Sequence, residues 1–88
     1  MSKLEALLLS RTSLSDVGLM DIKELTSLKS LDISNTDVTD AGILELKELT
    51  KLKYLNLYDT KTTPNGISEL AKVMPELQIN TKAPPIVH

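Results

Sequence analysis

General acid–base, metal and nucleophilic chemistry each need particular side chains held close together, so those residues are placed first. The chain has 88 residues, with no Cys, no Trp, no Phe and one His, His88, at its last position. A His-centred catalytic or metal cluster therefore cannot be assembled, nor can a Cys-based zinc site or a disulfide. The run DISNTDVTDAG, residues 32–42, is acid-rich like a calcium loop. It lacks the Dx[DN]x[DN]G spacing and the bidentate acid at the twelfth position that such a loop requires. Asp37 and Asp40 read instead as charges on turns and helix starts. Ser and Thr are plentiful, but no His or Lys stands beside one as an activating base. No glycine-rich phosphate loop is present. The expectation is a chain with no catalytic residue, no metal ligand and no cofactor.

Charge narrows the partners. The net charge is −2 and the pI about 5.3, which argues against nucleic acid or an anionic membrane. Basic residues are scattered and have no interleaved aromatics on which bases could stack. No apolar run approaches the 18 or so residues of a membrane span. The opening MSKLEALLLS has no signal-peptide core or cleavage site. With no Cys either, the expected location is cytoplasmic.

The elements that carry these residues follow from a repeat. Leu supplies seventeen of the 88 residues, and the chain matches itself at a shift of 24. SKLEALLLSRTSLSDVGLMDIKEL aligns with TSLKSLDISNTDVTDAGILELKEL and with TKLKYLNLYDTKTTPNGISELAKV. Leu7, Leu31 and Leu55 share one column, and Leu9, Ile33 and Leu57 another. Thr12, Thr36 and Thr60 share a third, and Gly18, Gly42 and Gly66 a fourth. The alternation at 7 and 9, 31 and 33, 55 and 57 is that of a strand with one buried face. Ser15-Asp16, Thr39-Asp40 and Thr63-Pro64 read as helix N-caps followed by an acid or by Pro at the first helical position. Apolar residues three apart then form a helical stripe: Leu19, Ile22, Leu25; Ile43, Leu46, Leu49; Ile67, Leu70, Val73. The repeated Thr is expected to point inward and find a partner in the adjoining coil. The repeated Gly marks a close approach with no room for a Cβ.

The motif LxxLxLxxT stands here as LEALLLSRT, LKSLDISNT and LKYLNLYDT, and it resembles the leucine-rich repeat family over nearly the whole chain. The trailing DVTDAGILEL is similar to the subclass of ribonuclease-inhibitor-like, F-box and many bacterial proteins. Thr stands where that family often has Asn or Cys, and no F-box segment is recognisable. The resemblance implies an α/β solenoid with a parallel sheet on its concave side and helices opposite, and a protein partner. Repeats are expected at 1–24, 25–48 and 49–73. A capping strand over 74–80 follows a register break at KVMPELQI, and a flexible tail covers 81–88.

Two surfaces are expected to bind. Tyr54 and Tyr58, the two aromatics, lie four apart on one strand with Asn56 between them, and so face the concave side. Ser30, Asp32 and Ser34 are their expected neighbours on the preceding strand. The second surface is the first repeat, which has no polar cap. Leu8, Val17 and Met20 are apolar where the third repeat is polar, and Leu4 lies on the same uncapped coil, which together point to self-association or docking through these four residues.

Overall fold

The computed structural model describes residues 3–81. In order, it contains β1 (Ala6–Leu8), α1 (Asp16–Ile22), β2 (Ser30–Asp32) and α2 (Asp40–Ile43), which runs into a 3₁₀ segment (Leu44–Glu48). β3 (Tyr54–Asn56), α3 (Pro64–Val73) and β4 (Gln78–Asn80) complete it. Among the described residues the strands form one parallel sheet, ordered β1-β2-β3-β4. Leu7 pairs with Leu31, Leu31 with Leu55 and Leu55 with Ile79, so each partner lies 24 positions along the chain. This is an α/β repeat fold. Between sheet and helices, Leu28, Leu31, Ile33, Val38, Ile43, Leu46, Leu49, Leu55 and Leu70 are sealed from solvent. The expected tail lies outside the described residues, apart from Thr81.

The strand register does not break before β4, because Tyr54 pairs with Gln78 at the same 24-residue offset. The extra residue of KVMPELQI is absorbed locally. Leu77 N donates to Met74 O, as Leu52 N does to Leu49 O, and the next residue is already in the strand. The helical stripes are also less uniform than the sequence pattern suggests. In the second coil a 3₁₀ segment aligns residues three apart, and Leu49 is fully buried. The third coil stays α-helical to Val73. Steps of three then drift around an α-helix, and Val73 turns out to 56% exposure.

The chain leaves β1, β2 and β3 through a residue in the left-handed region, Arg11, Asn35 and Asp59 in turn, at φ of 61°, 55° and 60°. The following Thr closes the turn. Thr12, Thr36 and Thr60 Oγ1 donate to the carbonyls of Leu9, Ile33 and Leu57 at 2.8, 2.7 and 3.0 Å. The hydroxyl's partner is thus three residues back in its own coil, rather than in the adjoining one. A side chain reaching its own turn makes a local bond at little entropic cost, which explains the recurrence of Thr.

The adjoining coils are joined by a different set. Asp16 accepts from Thr39 N at 2.7 Å and from Thr39 Oγ1, and Asp40 accepts from Thr63 N at 2.7 Å and from Thr63 Oγ1. The expected caps are therefore rearranged. Ser15 and Thr39 make no side-chain cap bond to their own helices, and Thr63 alone does, to Gly66 N at 3.4 Å. Each Asp carboxylate also occupies the space where a side chain on the next Gly would lie. A Cβ on Gly42 would overlap the Asp16 carboxylate, and one on Gly66 that of Asp40. A Cβ on Gly18 would meet only the movable end of Leu14. Neither turn geometry nor φ requires these glycines; the preceding carboxylate does. Pro64 takes the Asp column in the third coil, so the series stops there.

Three substitutions test this arrangement. Leu31→Ala should cost about 2–5 kcal/mol in urea denaturation, because the side chain fills the space between sheet and helices. Gly42→Ala should destabilise by on the order of 1–3 kcal/mol through collision with Asp16. Gly18→Ala should instead raise the melting temperature, since it adds helix propensity worth up to about 1 kcal/mol and meets no fixed group.

Candidate protein-binding surface

The exposed face of the sheet is built by strand alternation. Residues 31, 33, 55 and 57 turn into the core, and residues 30, 32, 54 and 56 turn away from it. Ser30 pairs with Tyr54 and Asp32 with Asn56, which brings the expected concave residues of two strands side by side. Tyr54 and Tyr58 are 54% and 45% exposed. Both offer rigid apolar area with a hydroxyl handle.

The polar residues between them are partly committed to the fold. Asn56 Oδ1 accepts from Tyr58 N at 3.0 Å and from Asn80 Nδ2 at 3.2 Å. Asp32 Oδ1 accepts from Ser34 N at 3.0 Å and from Ser34 Oγ at 2.7 Å. These carboxamide and carboxylate oxygens hold the chain as it leaves the strand, so they position Tyr58 as much as they face a partner. Ser34 does not belong to an accessible surface. It is 5% exposed, and its hydroxyl also lies 3.1 Å from Ser10 Oγ. Residue 34 shares its column with Ser10 and Tyr58, and its short side chain is held down by Asp32 Oδ1 and Ser10 Oγ, where the longer Tyr58 side chain projects out. Asn80 joins the face through Asn56. It is found from the sequence only by extending the 24-residue step past Asn56 into the final strand.

The apolar residues of the first coil do not form one patch. Leu8, 74% exposed, lies on the concave side beside Asp32. Val17 and Met20, at 78% and 46%, line a shallow groove with Ala41, Gly42 and Glu45 on the helix side. Leu4 is 43% exposed. The coil's inward residues Leu7, Leu9 and Leu14 are only partly buried, whereas Leu31, Ile33 and Val38 in the same columns are sealed.

On the helix side Lys23 Nζ donates to Glu45 Oε1 at 2.9 Å. That bond raises the Lys23 pKa and lowers that of Glu45. The carboxylate's share of stabilisation is present above the ordinary Glu value and fades as pH falls through the depressed one. The ammonium's share is present below the ordinary Lys value and fades as pH rises through the raised one. Among the described residues no group of three His, Cys, Asp or Glu could hold a metal, and no helix is long and apolar enough to cross a membrane.

A search of curated proteins gives no match. Residues 26–72 match the family described as Leucine Rich repeats (2 copies), a stretch covering β2 through most of α3 and more than half the chain. Those residues carry the repeated columns that pair across the sheet, and the chain belongs to the leucine-rich repeat family.

Proposed function

We propose that this domain is a non-enzymatic recognition module that binds a protein partner across its concave sheet face. Leucine-rich-repeat domains commonly mediate protein–protein interaction and are typically not enzymes. The observation that carries the site is the pair of half-exposed tyrosines on that face, Tyr54 on β3 and Tyr58 two residues beyond its end. Ser30, Asp32 and Asn56 surround them as polar rim, and Ser34 is left out because it is buried. In this reading the chain is three units on a 24-residue step, 1–24, 25–48 and 49–73 (the last with one extra residue), closed by a cap over 74–80.

A second reading is assembly through the first repeat. It is favoured by the contrast between the half-buried Leu7, Leu9 and Leu14 and their sealed counterparts. Each large side chain left partly wet forgoes a share of the roughly 1.5–3 kcal/mol that full burial supplies.

The concave-face reading is tested on a partner recovered by affinity capture and then purified. Tyr54→Ala with Tyr58→Ala should weaken binding by about 2 kcal/mol or more, near 30-fold in Kd by calorimetry. The melting curve should barely move, since exposed side chains contribute within about 0.5 kcal/mol. Equal binding by the double variant moves the site off this face.

A further inference from the structure

The second reading, assembly through the first repeat, can be taken to a specific geometry. Among the described residues β1 is an outer strand of the sheet, paired with β2 alone. Its odd-numbered backbone groups face β2. Glu5 O accepts from Lys29 N and Ser30 N, Leu9 N donates to Asp32 O, and Arg11 N donates to Ser34 O. By strand alternation the N–H and C=O groups of Ala6, Leu8 and Ser10 face the open edge. That edge has no charged residue from 6 to 10 to discourage pairing. β4, at the other side of the sheet, is Gln-Ile-Asn and polar.

We propose that two copies of this chain join head to head, β1 against β1 antiparallel, with Leu8 on the two-fold axis. Opposite residues then have numbers summing to 16. In this register all three outward-facing positions find partners: Leu8 meets the partner's Leu8, and Ala6 and Ser10 meet each other in both directions. Leu7 falls opposite the partner's Leu9 on the core side, so each copy covers the half-buried inward leucines of the other. Leu8, 74% exposed in the single chain, is covered on the concave side. At the flanks Glu5 falls opposite the partner's Arg11, an attractive pair formed twice. The Glu5–Lys29 contact it competes with is 3.8 Å long and exposed on both sides, so it is worth little. A shift to a sum of 14 would set Lys3 against Arg11, and a sum of 18 would set Glu5 against Ser13. Of the three registers, the sum of 16 alone brings opposite charges together, so charge selects it. A head-to-tail contact of β4 on β1 would place Asn80 beside Leu8 and Gln78 beside Ala6, and would propagate without closing.

Charge exchange read by sedimentation velocity over a concentration series tests the proposal. The wild-type chain should be a closed dimer. Glu5→Arg alone and Arg11→Glu alone should each weaken the dimer by about tenfold or more, because two attractive pairs become repulsive. The doubly exchanged chain should regain wild-type affinity. An equimolar mixture of the two single variants should also recover it as a heterodimer. There the arginine introduced at position 5 of one chain faces the glutamate introduced at position 11 of the other, and the native Arg11 faces the native Glu5. A folding defect confined to one chain cannot produce that recovery, and circular dichroism of each variant checks folding directly. A monomer at every concentration overturns both the assembly reading and this geometry. A dimer indifferent to the exchanges, or a mixture that does not recover, overturns the register while leaving assembly through the first repeat standing. Species that keep growing with concentration point to the head-to-tail contact and overturn the two-fold arrangement.

Discussion

No coil of this chain can bury its own apolar residues, because a three-residue strand and a helix of one to three turns enclose too little volume. Leu31 and Ile33 are sealed only because β1 and β3 flank β2 and because Val38, Ile43 and Leu46 close over them. The parallel pairing of residues 24 apart is thus what the columns, the two faces and the core all derive from. It places alternate residues on opposite faces and makes the stability of each coil depend on its neighbours. The same dependence explains the gradient of burial, which is complete in the second coil and partial in the first.

The junctions between coils also need polar closure. At each junction a helix-start Thr is paired across to the preceding coil; Thr39 is part-buried, so a donor left unpaired there costs up to about 1–3 kcal/mol, whereas Thr63 is exposed. Asp16 and Asp40 satisfy those donors across the junction, and the glycine three positions after each Thr makes room for the carboxylate. Asp, Thr and Gly are therefore one device divided between two coils. Within a coil they look like an N-cap and a helix flaw. At Gly18 a Cβ would meet only the end of the Leu14 side chain among the described residues, so the carboxylate device is seen at Gly42 and Gly66.

The two proposed interfaces draw on different consequences of this architecture. The concave face is continuous across strands, and its tyrosines sit on β3 and just beyond it, where Asn56 secures the turn. The edge of β1 is discontinuous with that face in chemistry, being apolar and rich in unshared backbone hydrogen-bonding groups. A two-fold pairing at β1 would extend the concave surface across the axis, so recognition and assembly would be compatible in one particle.

Much was legible in the sequence because a repeat reports its own structure three times. Recurrence at 24 residues was enough to identify strand positions, the inward leucines and the concave placement of Tyr54 and Tyr58. It also pointed to a lack of room for a Cβ at all three repeated glycines, which holds at Gly42 and Gly66 and fails at Gly18, where only the movable end of Leu14 stands in the way. Contacts across a junction were not legible in this way. Asp16 binding the next coil's Thr39 and Ser34 becoming buried depend on how far one coil sits from the next, and Thr36 turned to its own Ile33 carbonyl because that acceptor lies within its own turn. A column pattern carries no such distance. Val73 shows the same limit on a helix: residues three apart look alike in sequence, but 3₁₀ winding keeps Leu49 in the core while α winding rotates Val73 out. Periodicity is a one-dimensional property, so the residues alone established which faces exist. Which atoms meet between those faces was settled on folding, because it depends on rotation and spacing imposed by packing.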